Sequence, residues 1–271
     1  MGHGRSATKH HDIDDDHDFD SELTSPDGYW VRSQMPLQCL LFLLPLVFFY
    51  ELGVLLFATD FDKGVTQHIE ARLKLNRFSE WMGLEVPPLF LPGLIIIVVL
   101  LAWHIIRRAP WSAKLNVCAY MLAEGVALAL PMFVFALVLR QNPAMNIALP
   151  MLAGDIDESG WKAGLVFSIG AGLYEELLFR LIGVAMFYSI CVHVLALPKR
   201  WSCFIAISVS AILFSWYHFH SLSEFNFGDF MFYAAAGLYL GYIFMLRGFG
   251  IVVAAHAMYD VMVVTLRALQ H

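Results

Sequence analysis

Hydrophobic residues in this chain run in long blocks rather than in alternation. Apolar segments occupy residues 37–58, 89–106, 115–139, 162–182, 201–219, 229–246 and 249–267, and polar or charged residues gather between them. Mostly apolar runs of about 18 or more residues have the length to cross the hydrocarbon core of a bilayer as α-helices. The pattern predicts an all-α, polytopic transmembrane bundle. Residues 183–197 are apolar but short and end at Pro198-Lys199-Arg200. They either prolong the preceding span or form a helix of their own, so seven or eight spans are expected.

Two polar stretches break the blocks. Residues 62–84 set Val65, Ile69, Leu73, Leu75 and Phe78 among Lys63, Glu70, Arg72, Lys74 and Arg77. That spacing fits an amphipathic helix on the membrane surface, or a solvent-facing connector. Residues 1–36 have too few apolar positions to form a core and are expected to be disordered. The organisation expected is thus a tail (1–36), N-terminal membrane helices with their connector (37–159) and a membrane core (160–271).

Composition agrees with this reading. The chain is 59% hydrophobic and 15% charged, whereas soluble domains are about a quarter charged. The net charge of -6 says little about partners, because residues 1–36 hold eight acidic against three basic residues. The tail's histidines and carboxylates are ligand types for a divalent ion. Calcium-loop spacing fails, however, with His17 at the glycine position and Leu23 at the final glutamate position. A solvated acidic tail is expected, and its length is unlike the short basic start of a signal peptide. The four cysteines lie in or beside apolar segments without a C-x-x-C pair, as small buried hydrophobes do. Arg107, Arg108 and Lys114 join the second and third spans, while Asp155, Asp157 and Glu158 dominate the next connection. The positive-inside rule then puts the N-terminus in the cytoplasm. Gly237-x-x-x-Gly241 permits close helix packing and identifies no function.

Against this apolar background, Tyr174-Glu175-Glu176-Leu177-Leu178-Phe179-Arg180 stands out. Charged groups at mid-membrane cost roughly 2.5–3.5 kcal/mol each on insertion scales, so they face the bundle interior and mark function. Residues four apart share a helix face, which makes Glu176 and Arg180 the natural ion pair and turns Glu175 elsewhere. His218 follows Phe214 by four near the end of one span, and His256 precedes Asp260 by four in the last. The first spacing lets the aromatic ring buttress the imidazole. The second lets two side chains share a proton, orient one imidazole or bind a metal. Each element alone also fits a structural hydrogen bond. Together they supply a base, an electrophilic donor and a polar pocket, the parts that amide hydrolysis needs.

These three motifs, Glu175-Glu176-x-x-x-Arg180, Phe214-x-x-x-His218 and His256-x-x-x-Asp260, in this order on successive membrane segments, resemble the CPBP intramembrane proteases. That family includes the type II CAAX prenyl endopeptidases and bacteriocin-processing or self-immunity proteins. The resemblance covers about residues 160–268. It implies that Glu175 activates water with help from His218, that His256 and residue 260 stabilise the oxyanion, and that Glu176 and Arg180 hold the site together. Asp260 stands where the prenyl-endopeptidase branch has Asn. An ionised Asp donates no hydrogen bond, so it is either protonated, or orients His256 or a metal. Glu175, His218, His256 and Asp260 would make a mixed set for zinc. The zincin spacing is missing, and metal-free glutamate-type hydrolysis is favoured.

The expected activity is endoproteolysis of a membrane-embedded or lipidated protein or peptide. The partners are that substrate and the bilayer, with no nucleic acid. The rival is a non-catalytic immunity or scaffold protein of the same family. Glu51, His104 and Glu124 add intramembrane polarity of the kind transporters use, but no paired Gly/Pro-interrupted spans mark an inverted repeat. One geometric difficulty stands. Counted from the span ends on straight helices, His218 and His256 miss the depth of Glu175; tilt or a break near Gly183 would reconcile them.

Overall fold

A computed structural model describes residues 28–57, 59–60, 65–66, 91–141, 160–219 and 225–270. The described helices are α1 (Tyr29–Arg32), α2 (Pro36–Phe57), α3 (Leu91–Arg107), α4 (Leu115–Arg140), α5 (Gly160–Val194), α6 (Lys199–Tyr217), α7 (Phe227–Arg247) and α8 (Phe249–Ala268). A two-residue antiparallel pairing of β1 (Thr59–Asp60) with β2 (Val65–Thr66) follows α2. The tail up to residue 27 and nearly all of the 62–84 connector lie outside the described residues.

Among the described residues, α2, α4, α5, α6, α7 and α8 are long and apolar enough to cross a membrane. Helix α3 is apolar but has 17 residues, about 25 Å at 1.5 Å per residue. The chain is an integral, multi-pass membrane protein built as the expected polytopic helical bundle; among the described residues six helices are full-length candidate spans and α3 is a shorter apolar one. Residues 183–197 are not a separate span. Gly160–Val194 is one helix of 35 residues, about 52 Å of rise, which exceeds the roughly 30 Å hydrocarbon core.

Helix α8 is the centre of the bundle. Of its most apolar window 72% is buried inside the protein, against 22–44% for the other candidate spans, and it packs mainly on α5 and α4. The α5–α8 contact requires glycine. A Cβ on Gly172 would stand 2.8 Å from the Ala257 nitrogen and 2.9 Å from the Val253 oxygen, so backbone meets backbone beside the His256 turn. Helices α7 and α8 meet at Gly248, whose φ of +80° suits glycine.

Helix α5 changes winding just after the paired glutamates. Residues 177–184 are π-helical, as is Ile190–Val194. The wider turn spoils the ordinary i→i−4 ladder, as π-turns at functional sites do. Here the Phe179 carbonyl accepts from Ser210 Oγ of α6 at 2.7 Å. The break expected near Gly183 is therefore a π segment containing Gly183.

Composition predicts disorder through residue 36, yet residues 28–35 are built into the bundle. Arg247, 4% exposed, lies 3.6 Å over the Trp30 ring and 5.3 Å from the Tyr29 ring. It donates to Glu124 at 2.5 and 2.8 Å and to Ser33 Oγ at 3.1 Å. Tyr29 donates its hydroxyl to Glu124. Burial and the Glu124 carboxylate push that phenol far above its usual range, so it stays protonated. A buried cation with two aromatic faces and a carboxylate orders a segment that composition alone marks as solvated.

Candidate active site

Glu175 and Glu176 close the α-helical part of α5, immediately before its π turn. As consecutive helical residues they diverge, and the two carboxylates have different surroundings. Glu176 is fully buried. Its Oε1 accepts from Arg180 at 2.8 Å and from His256 Nδ1 at 2.6 Å. One carboxylate oxygen thus anchors the arginine and fixes which imidazole nitrogen is turned away from the site. The expected Glu176–Arg180 pair is present, and Glu176 orients His256 as well.

Arg180, 1% exposed, has further contacts. Its second terminal nitrogen reaches the Gly237 carbonyl of α7 at 3.4 Å, and its guanidinium lies 4.4 Å over the Phe214 ring. Phe214 presents an edge to His218 at 4.7 Å and lies 6.0 Å from the His256 ring. The Phe-x-x-x-His spacing therefore places one ring among all three motifs.

His218 is the C-cap residue of α6. Its Nδ1 lies 2.8 Å from the Phe214 carbonyl. A carbonyl can only accept, so Nδ1 carries a proton, and in the neutral ring Nε2 then carries the lone pair. That Nε2 faces Glu175 Oε2 at 3.8 Å. From the other side, His256 Nε2 faces the same oxygen at 4.0 Å. Both separations exceed a direct hydrogen bond and are those across which a water bridges. The side chains of Glu175 and His218 retain 10% and 20% exposure. Asp260, 4% exposed, brings Oδ2 to 3.6 Å from His256 Nε2. Spacing alone makes Asp260 the partner of His256, but Glu176 holds the close contact from another helix.

Glu175, His218 and His256 thus converge despite their different depths on straight helices. Asp260 is adjacent through His256. Among the described residues, no group of three or more His, Cys, Asp or Glu side chains is arranged to hold a metal ion.

Two contributors escape motif reading. Tyr174 donates its hydroxyl to Glu51 of α2 at 3.0 Å and tethers the residue before Glu175 to the N-terminal helices. Tyr233 of α7 stacks on His218, with centroids 3.9 Å apart and planes 16° from parallel. The signal for Tyr233 was the helical stripe that continues through Gly237 and Gly241. Both glycines face α6, against Ala211 and Ile207, and one turn back on that face is residue 233.

Residues 158–262 match the family described as Type II CAAX prenyl endopeptidase Rce1-like. The match runs from the start of α5 into α8 and leaves α1–α4 outside. No curated protein and no solved structure matches the chain.

Proposed function

We propose that this chain, whose residues 158–262 belong to the CPBP intramembrane proteases, hydrolyses a peptide bond of a membrane-embedded or lipidated protein through a water activated by Glu175. The observation that carries this reading is the convergence of His218 Nε2 and His256 Nε2 on one Glu175 oxygen, at 3.8 and 4.0 Å.

A water between Glu175 and His218 meets two acceptors, because the Phe214 carbonyl holds the His218 proton on Nδ1. Its oxygen attacks the scissile carbonyl carbon while its proton passes to Glu175, the general base. Negative charge then grows on the carbonyl oxygen. His256, held at Nδ1 by Glu176, turns Nε2 to that charge and donates when this nitrogen is protonated. Collapse breaks the C–N bond, and the proton taken from water goes to the leaving nitrogen. The products are a carboxylic acid and an amine. No step needs a metal. The basic residues at 107–114 and 199–200 favour a cytoplasmic N-terminus.

The test is cleavage of a membrane-tethered peptide by purified protein in proteoliposomes, read by mass spectrometry of both new ends. One cut site with water-derived ¹⁸O in the new carboxylate is expected, unchanged by chelator. No cleavage of any tethered or lipidated peptide, with partner binding intact, would favour the immunity or scaffold reading. Loss of activity on chelation with recovery on added zinc would replace the metal-free mechanism.

Asp260→Asn examines the unusual residue of the last motif. Asn keeps the shape and adds an N–H donor beside His256, so activity equal to or above that of the native chain is expected in the same assay. Loss of activity together with bound metal would instead make Asp260 a ligand.

A further inference from the structure

Away from the catalytic helices, the corner between α1 and α2 meets the end of α3 and leaves a cleft of about 280 Å³, lined by Trp30, Val31, Gln34, Met35 and Arg107. Its walls are fixed. Gln34 donates to the Trp30 and Leu246 carbonyls, at 3.2 Å each, and Arg247 covers the Trp30 ring. Gln38 exchanges two hydrogen bonds with the Lys114 backbone, at 2.9 and 2.8 Å, which holds the loop after α3 beside this corner. The charges here are one-sided. Arg107, Arg108 and Lys114 are exposed, and among the described residues none of them has a carboxylate partner. The Glu124 carboxylate is already taken by Arg247 and Tyr29. The surroundings are those of a membrane interface. Ile106, Trp111 and Leu115 are exposed around the loop, and α2 leaves the corner with Leu37, Leu41, Leu44 and Phe48 at helical spacing on one face.

We propose that this cleft binds the headgroup of an anionic phospholipid, with the phosphate on Arg107 and the acyl chains running along the apolar face of α2. The site lies outside the matched residues 158–262 and does not depend on the catalytic reading. Charge complementarity selects the ligand. Arg107, Arg108 and Lys114 attract an anion, while the engaged Glu124 leaves nothing to hold the choline or amine of a zwitterionic lipid. Basic pockets between membrane helices take anionic headgroups in this way. The volume suits a headgroup rather than a whole lipid, since small-molecule sites run roughly 300–1,000 Å³. Loop charge by itself does not make such a site. Lys199 and Arg200, at the start of α6, are equally exposed but line no part of the cleft, so they provide an internal comparison.

The experiment is native mass spectrometry of the full chain in detergent, titrated with dioleoyl phosphatidylglycerol or dioleoyl phosphatidylcholine and read as the Kd of the first lipid retained. Phosphatidylglycerol is expected to bind more tightly. Arg107→Gln, at an exposed side chain, should weaken it about tenfold, the scale of one hydrogen bond to a charged group. Val31→Trp keeps every charge but fills the cleft, and a similar loss is expected. Lys199→Gln/Arg200→Gln should leave the Kd unchanged. Lipid-free melting temperature reports folding, and Met35→Trp replaces Val31→Trp if that protein does not fold. Glycerol phosphate, which has the phosphate without the chains, should not displace the lipid. Equal affinity for the two lipids, a native Kd in Arg107→Gln or in the cleft-filling variant, or an equal loss in the Lys199/Arg200 pair would each overturn the proposal. Displacement by glycerol phosphate at matched concentration would overturn the lipid assignment in favour of a soluble phosphate. Every readout is binding, so an inactive peptidase leaves the proposal standing, and its failure leaves the catalytic reading untouched.

Discussion

Glu175→Gln is expected to leave a folded membrane protein that no longer cleaves peptide. The amide has almost the shape of the carboxylate but cannot take a proton from water, and general-base catalysis contributes roughly 10²–10⁴-fold. The fold is expected to survive because Glu175 is not part of the tight network. Both imidazoles stand beyond hydrogen-bond distance, at 3.8 and 4.0 Å, so the substitution orphans neither. The change also removes a charge from apolar surroundings, where an ionised group is costly. A melting temperature at or above that of the native chain should therefore accompany loss of turnover. The measurement is paired thermal melting in detergent and single-turnover cleavage in proteoliposomes. Turnover within tenfold of native would end the assignment of Glu175 as base.

That separation between the two glutamates was legible in the sequence, and its reason is geometric. Adjacent helical residues diverge and i,i+4 residues meet, so Arg180 had to choose Glu176. The helical spans were legible because lipid imposes long apolar runs. Spacing brings Asp260 to 3.6 Å from His256 Nε2, but it is silent on contacts between distant elements. His256 and Asp260 are four apart, yet the close partner of His256 is Glu176, 80 residues earlier. Tyr233 carries no charge to mark it in an apolar span, and its stacking on His218 depends on how α7 lies on α6. The π winding after Glu176 left only Gly183 as a trace. Residues 28–35 read as tail because Arg247, Trp30 and Glu124, which order them together, are far apart in the chain.

Removing Arg180 is expected to have the opposite signature from removing the Glu175 charge. Arg180→Leu strips a fully buried carboxylate of its cation, leaves the Gly237 carbonyl without its guanidinium donor and empties the face of Phe214. Breaking one side of a buried ion pair costs about 3–5 kcal/mol, so a large drop in melting temperature is expected, with inactivity as its consequence. Arg180→Lys should rescue little, because one ammonium cannot span Glu176 and Gly237 while lying flat on a ring. The pair substitution Glu176→Leu/Arg180→Leu isolates the chemistry. Replacing both charges with apolar side chains is often neutral for stability, so melting should recover toward native. Cleavage should stay absent, because His256 Nδ1 has lost the acceptor that turns Nε2 toward Glu175. Native melting in Arg180→Leu would show the ion pair to be dispensable for the fold. Native turnover in the stable pair variant would show that the orientation of His256 does not depend on Glu176.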